Sequence, residues 1–196
     1  MTIPRTGRGA MVLIAALVIA NATSAQEVLR ISNGEVTVVC PLTVGGSFEA
    51  KTKAVSGEVA ETPAQPGAIG GAVKVQLDTL ESGIALRDDH MRSNYLEVEK
   101  GPEYAVAILE NIRVDKTDGK GAFRGTLTLH GQRRDVAGTA EVERKDGGVV
   151  VEAQFPIKVS AFQIPEPTYL GVGVRDEIQV KVRLNATSPR HRRGER

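Results

Sequence analysis

The sequence predicts an all-β protein, an antiparallel barrel of about eight strands with one helix near the middle. Three observations carry this. Apolar and polar residues alternate with period two along most of the chain. Turn-forming glycine pairs separate the alternating runs, and one central stretch switches to helical spacing.

The amino-terminal segment stands apart. Arg5 and Arg8 precede the apolar run MVLIAALVIA, and the small residues of NATSAQ follow. A basic start, an apolar core and a small-residue cleavage zone read as a signal peptide over residues 1–25. Its apolar core is about ten residues, half of the ~20 that a membrane-spanning helix requires. The expectation is therefore export, into a bacterial periplasm. Residues 26–187 form one domain, and residues 188–196, SPRHRRGER, read as a disordered basic tail.

The strands follow in order. VLRIS, EVTVVC, SFEAKTKAV, AVKVQL and YAVAILENIRV alternate, and so do GAFRGTLTLHG, RDVAGTAEVERK, VVVEAQFPIKV and EIQVKVRLNA. In the fifth run Val106, Ile108, Ile112 and Val114 share a face, with Glu110 out of step. Leu127 and Leu129 oppose Thr126, Thr128 and His130 in the sixth. Asn33–Gly34, Ser56–Gly57, residues 118–121, 130–132 and 145–148 read as turns, and residues 61–71 as a longer loop. In IALRDDHMRSNYLEVEKGPE, Ile84, Met91, Tyr95 and Val98 fall on one helical stripe, stopped by Gly101–Pro102. SAFQI predicts a short turn before the last strand.

Such a chain closes into a barrel or stacks as a sandwich. The inward face is mostly Val, Leu, Ile, Ala and Gly, with Phe48, Phe123 and Phe155 as its bulky members. Small aliphatic lining favours a barrel that holds a small ligand, although a flattened, filled barrel satisfies the same pattern.

Composition narrows the function. The chain holds 25 Lys and Arg against 24 Asp and Glu, and no Trp. Nucleic acid as a partner requires a basic face with interleaved aromatics, and neither is present. The single cysteine, Cys40, allows no internal disulfide and reads as a small buried apolar residue. Asp88, Asp89 and His90 look like a metal cluster, but consecutive helical residues point about 100° apart and cannot converge on one ion. No nucleophile–base motif is present, so neither catalytic nor metal-binding residues are assigned. Asp88 and Asp89 instead suit a solvated helix start. Arg87, His90 and Asn94 share one helical face beside Met91 and Tyr95, where a lid over a barrel mouth would present a polar rim.

RDDHMRSNYLEVEKGPE resembles the corresponding motif of the YceI-like family of secreted lipid-binding proteins. LTLHGQRRDV is similar to that family's strand–turn–strand motif, and TVGGSFEAKTKAVSGEV to its early segment. The resemblance covers nearly the whole exported chain. It implies an extended, lipocalin-like barrel enclosing a long-chain amphiphile such as a polyisoprenoid, a quinone or a fatty amide, with no other cofactor. It carries Arg87, Asp88, His90, Arg92 and Ser93 from the first motif, and His130 and Gly131 from the second, with head-group contacts among the polar members. It also implies a homodimer. The expected ligand-binding set is Arg87, His90, Met91, Asn94, Tyr95, Phe48, Val106, Ile108, Leu127, Leu129, Phe155 and His130. The expected function is non-enzymatic carriage or sequestration of a lipid, with a ligand-free interaction domain as the alternative.

Overall fold

The computed structural model describes residues 27–145, 147–169 and 171–189. The expected signal peptide and most of the basic tail lie outside the described residues. The strands are β1 (Val28–Pro41), β2 (Ser47–Thr52), β3 (Val55–Glu61), β4 (Ala68–Gln76), β5 (Val106–Val114), β6 (Gly119–Leu129), β7 (Gln132–Lys145), β8 (Gly148–Lys158), β9 (Thr168–Tyr169), β10 (Val172–Gly173) and β11 (Glu177–Thr187). A helical segment opens with α1 (Ala85–His90) and runs through a π turn at Met91–Tyr95 to α2 (Pro102–Ala105).

Neighbouring strands pair antiparallel in the order β11-β8-β7-β6-β5-β4-β3-β1, and β1 then pairs with β11 to close the sheet. Along that seam Arg30 sits opposite Thr187 and Val39 opposite Gln179. One edge of β1 serves both β3, at Val28–Arg30, and β2, at Val36–Pro41. β2 and β3 are thus one path around the barrel, broken at Lys53–Ala54. The break is held by the buried Thr52 hydroxyl, which accepts a hydrogen bond from the Ala54 amide at 3.0 Å. The result is a closed eight-stranded barrel. Closure leaves no long edge to template aggregation.

Several expected turns are strand interior. Asn33–Gly34 lies within β1, where the pairing with β11 shifts register between Ile31 and Asn33. That bulge moves the inward set from Leu29 and Ile31 to Val36, Val38 and Cys40. Ser56–Gly57 lies within β3. The loop expected over residues 61–71 is shorter, because Ile69–Gly71 already pair with β3. In each case a glycine serves close strand approach instead of reversal.

The barrel wall packs on its own inner residues. Val36, Leu127, Leu129, Val136, Phe155, Ile157, Ile178 and Val180 belong to one buried cluster. Phe123 and Phe155 meet edge to face, ring centroids 5.5 Å apart. Each fully buried aliphatic or Phe side chain contributes about 1.5–3 kcal/mol. The sequence-predicted turn at SAFQI is a tight helical turn over Val159–Phe162, with Phe162 fully buried.

The β3–β4 pair supplies a stability test. Gly57 (φ +143°) and Gly71 (φ +93°) adopt backbone conformations that disfavour a side chain. A Cβ at Gly57 would lie 2.1 Å from the Ala72 carbonyl oxygen, and one at Gly71 2.0 Å from that of Glu58. Gly57→Ala and Gly71→Ala are each expected to cost about 2 kcal/mol or more. Gly46→Ala, whose Cβ would meet nothing within 4 Å, should cost less, about 1 kcal/mol. Urea-unfolding midpoints of the three variants check this.

Candidate functional site

Inward side chains of all eight barrel strands face a continuous cavity of about 1170 Å³. Ligand pockets for drug-sized molecules are usually ~300–1,000 Å³, so this one suits something longer. Its walls are aliphatic, with Val73 and Val75 on β4, Leu127 and Leu129 on β6, and Val151, Ala153, Phe155 and Ile157 on β8.

The helical segment is a lid over one end. Arg87, His90, Met91, Tyr95 and Leu96 from the lid line the cavity, as does Phe48 from β2. The Arg87 guanidinium lies 4.2 Å from the centroid of the Phe48 ring, a cation–π contact that fixes it at the mouth. Among the described residues Arg87 forms no ion pair. A half-buried cation over an apolar chamber, without a protein counter-ion, suits an anionic or strongly polar ligand group.

A polar network holds the lid in place. Asp88 is buried, and one carboxylate oxygen accepts from the Ser82 amide at 2.7 Å and the Ser82 hydroxyl at 2.6 Å. The expectation of a solvated Asp88 is thereby corrected. The carboxylate lies on the inner side of the short helix and ties it to the loop before it. Arg92 donates to the Leu80 carbonyl at 3.3 Å and to Asp89 at 3.1 Å, and Ser93 donates to the Asp89 carbonyl at 2.6 Å. The Tyr95 hydroxyl donates to the Thr168 carbonyl at 3.4 Å, which joins the lid to β9. Asp88, Arg92 and Ser93 are lid fasteners and do not line the cavity.

His130 is also placed outside the cavity. It sits at the β6–β7 turn with φ +52° and is buried. Nδ1 lies 3.1 Å from the Phe162 carbonyl oxygen, and Nε2 3.1 Å from a Glu97 carboxylate oxygen. The carbonyl only accepts, so Nδ1 donates to it. Nε2 then faces the lid carboxylate and joins it as an ion pair when it too carries a proton. Tyr104 packs edge-on against the ring. Glu97 also meets Lys100 at 2.6 Å, and that hydrogen bond, followed by the charges of Lys100 and His130, holds its carboxyl below the usual range. Gly131 donates its amide to the Glu103 carbonyl.

Three other expected residues fall elsewhere. Asn94 is exposed and outside the lining. The Leu96 amide bonds back to the Met91 carbonyl, five residues away, so the turn at Met91–Tyr95 is wider than an α-helical one. That widening turns Asn94 off the cavity face, while Tyr95 stays on it. Val106 and Ile108 point outward, opposite Gln76 and Lys74 of β4. A bulge between Glu110 and Arg113, with Asn111 at φ +53°, switches the face of β5. Ala107 and Leu109 therefore line the cavity before it, and Ile112 and Val114 after it. The out-of-step Glu110 was the visible trace of this bulge. Cys40 also lines the cavity, a position its alternation with Val36 and Val38 marks in the sequence.

Two outcomes test this geometry. Burial raises the Cys40 thiol to about 11, opposed by the nearby Arg87 charge. At neutral pH the thiol is protonated, about four units below its pKa, and nucleophilic thiolate is scarce. Cys40 should resist a thiol-specific disulfide reagent in the folded protein and react fully once it is unfolded. Asp88→Ala leaves the Ser82 donors unpaired, at about 1–3 kcal/mol. Amide hydrogen exchange should accelerate over residues 82–95 well before it does in β6–β8, since the lesion lies in the lid.

The geometry agrees with what the chain is similar to. The sequence model of the YceI-like domain matches residues 25–186. A UPF0312 protein of Vibrio cholerae is 31% identical over 118 residues, 48% of this chain and 61% of the relative. This chain thus spans about three-fifths of the length of the curated relatives it matches. Among solved structures, Burkholderia cenocepacia BcnA superposes with a TM-score of 0.64 at 21% identity, over 79% of this chain and 96% of that one. A polyisoprenoid binding domain from Saccharophagus degradans gives 0.64 at 16% identity, over 84% and 100%. The Campylobacter jejuni YCEI protein gives 0.52 at 20% identity, over 73% and 86%. With the match running across the whole barrel and both chain segments that carry the lid and its fastener, the chain belongs to the YceI-like family.

Proposed function

We propose that this protein is an exported, non-enzymatic carrier that holds one long-chain amphiphile in its barrel, head group at the lid and tail along the axis. The observation that carries this reading is the aliphatic chamber of about 1170 Å³ with Arg87 at its mouth. The printed description of the Saccharophagus degradans neighbour as a polyisoprenoid binding domain supports the same class of cargo. An isoprenoid, a quinone or an acyl chain each fits such a chamber, and the periplasm is the compartment this reading proposes for the carrier.

The energetics favour a long tail. Inward positions on β8 run from Val149 to Ile157 and on to Val159. They span ~33 Å of strand, or ~25 Å of barrel height at a strand tilt of ~40°. Each buried methylene contributes ~0.8 kcal/mol, so about a dozen supply ~10 kcal/mol before ordering costs are subtracted. The binding drive is non-directional, and the orientation comes from Arg87 and His90.

Native mass spectrometry of the protein purified from its host, followed by denaturing release, tests the carrier reading. A reproducible added mass of an isoprenoid, quinone or acyl species supports it. A bare mass that persists after host lipid is added back overturns it. For the orientation, Arg87→Ala should weaken binding of a long fatty acid about tenfold or more, the worth of one charge-assisted contact. The fatty alcohol of equal length should lose much less. Equal losses for both would place the head group elsewhere.

A further inference from the structure

The cavity has a second end, away from the lid, where β3 finishes and the β5–β6 and β7–β8 hairpins turn. Three charged residues line it there, Glu27 before β1 and an oppositely charged pair. Arg144 projects from β7, and Glu61 is the last residue of β3. Around the closed sheet β7 and β3 lie four pairings apart in either direction, through β6, β5 and β4 or through β8, β11 and β1. They are diametrically opposed walls. Nevertheless, Arg144 Nη2 lies 3.1 Å from Glu61 Oε2. Arg144 Nε also donates to the Thr117 carbonyl of the β5–β6 hairpin at 3.2 Å. The guanidinium is therefore held on two sides, and the ion pair crosses the mouth. Other ion pairs on the barrel wall are shorter in reach: Lys51–Glu49 stays within β2, Arg183 of β11 meets Glu152 of neighbouring β8, and Arg133 of β7 meets Glu110 of β5 across the single strand β6.

We infer that the Arg144–Glu61 pair is the floor of the cavity and determines which chain lengths the protein accepts. The inference rests on the carrier reading above. On the lid side of the pair the walls are aliphatic, with Ile31, Ile112, Val142 and Val149. A tail that ends there gains burial with each methylene. A longer tail must part the pair and strip water from both charges while its own end emerges into solvent, where further methylenes gain nothing. Affinity thus rises with chain length, reaches an optimum and then falls. The optimum marks the distance from Arg87 to the strap. Both partners are partly exposed, so the strap yields to salt, and the penalty for long chains diminishes at high ionic strength.

Straight-chain fatty acids of increasing length, titrated by calorimetry into delipidated protein, read this directly. The unmodified protein should show an optimum length and at least a tenfold weaker affinity for chains several carbons beyond it. Arg144→Gln should remove that fall while leaving the affinity of shorter acids within about twofold. Glu61→Gln should do the same, and the double variant should add nothing, because either change dismantles one strap. Glu152→Gln, in an ion pair on the outer wall, is the control and keeps the optimum. Should one variant fold poorly by circular dichroism, the other and the salt series carry the same readout. An identical length profile in every variant, or a wild-type profile that rises without falling, overturns the strap. No binding at any length overturns the carrier reading itself, and the strap with it.

Discussion

Closure of an eight-stranded sheet is the constraint on which the rest of this structure depends. Once β11 pairs with β1, every strand has one face turned to an enclosed space whose width is set by strand number and tilt. Side chains on that face cannot retreat to solvent, and they cannot draw the walls together without breaking backbone hydrogen bonds. Whether the space is filled is then decided by side-chain size. Here the inner positions are mostly Val, Leu, Ile and Ala, and the rings of Phe123 and Phe155 meet edge to face along the wall. The cavity follows from closing a barrel of this size around residues too small to fill it.

An open apolar chamber needs a cover, and the cover cannot be apolar throughout. The lid solves this by separating two kinds of polar contact. Asp88, Arg92 and Ser93 turn towards the loop and the helix backbone, where each finds a partner within the protein. His130 and Glu97 do the same between the lid and the β6–β7 turn. Asp88 and His130 are buried, so their contacts satisfy buried polar groups and specify one seating of the lid. Arg87 differs, because its charge is stacked on Phe48 and turned to the chamber. The motif that looks most chemical in the sequence is therefore mainly a fastening device, with one cation turned to the chamber.

Much of the barrel was legible because period-two alternation survives wherever one face is buried and the other is wet. Leu127, Leu129 and Phe155 were found on the inner wall by that rule alone, and Phe48, Arg87, His90, Met91 and Tyr95 also line the chamber. What escaped shares one physical origin. Alternation gives the correct face only while the register is unbroken, and single-residue irregularities invert it. The bulge at Asn111 sent Val106 and Ile108 outward, and the one between Ile31 and Asn33 made a turn signal of a strand interior. The wider turn at Met91–Tyr95 did the same to a helix, moving Asn94 off the inner face. The burial of Asp88 escaped for another reason. Its partners come from the Ser82 backbone and hydroxyl, and no sequence pattern announces which loop a short helix will press upon.

The two ends of the chamber are electrostatically unlike, and this gives a symmetric-looking barrel a direction. At the lid Arg87 has no carboxylate partner among the described residues and leaves local positive potential over an apolar interior of low dielectric, where it is felt strongly. At the far end the positive charge of Arg144 meets the negative charge of Glu61 and is locally neutralised. An amphiphile with an anionic or dipolar head entering such a chamber is oriented before it is fully buried, since reversing it would bring the head to a neutral pair and the tail to a bare cation. Apolar burial alone is indifferent to this choice, because a methylene gains the same at either end. In the proposed carrier, affinity thus comes from the walls and orientation from Arg87, with His90 beside it, at the lid. On that reading the aliphatic lining tolerates any chain that fits, and the few charges at the ends carry the discrimination.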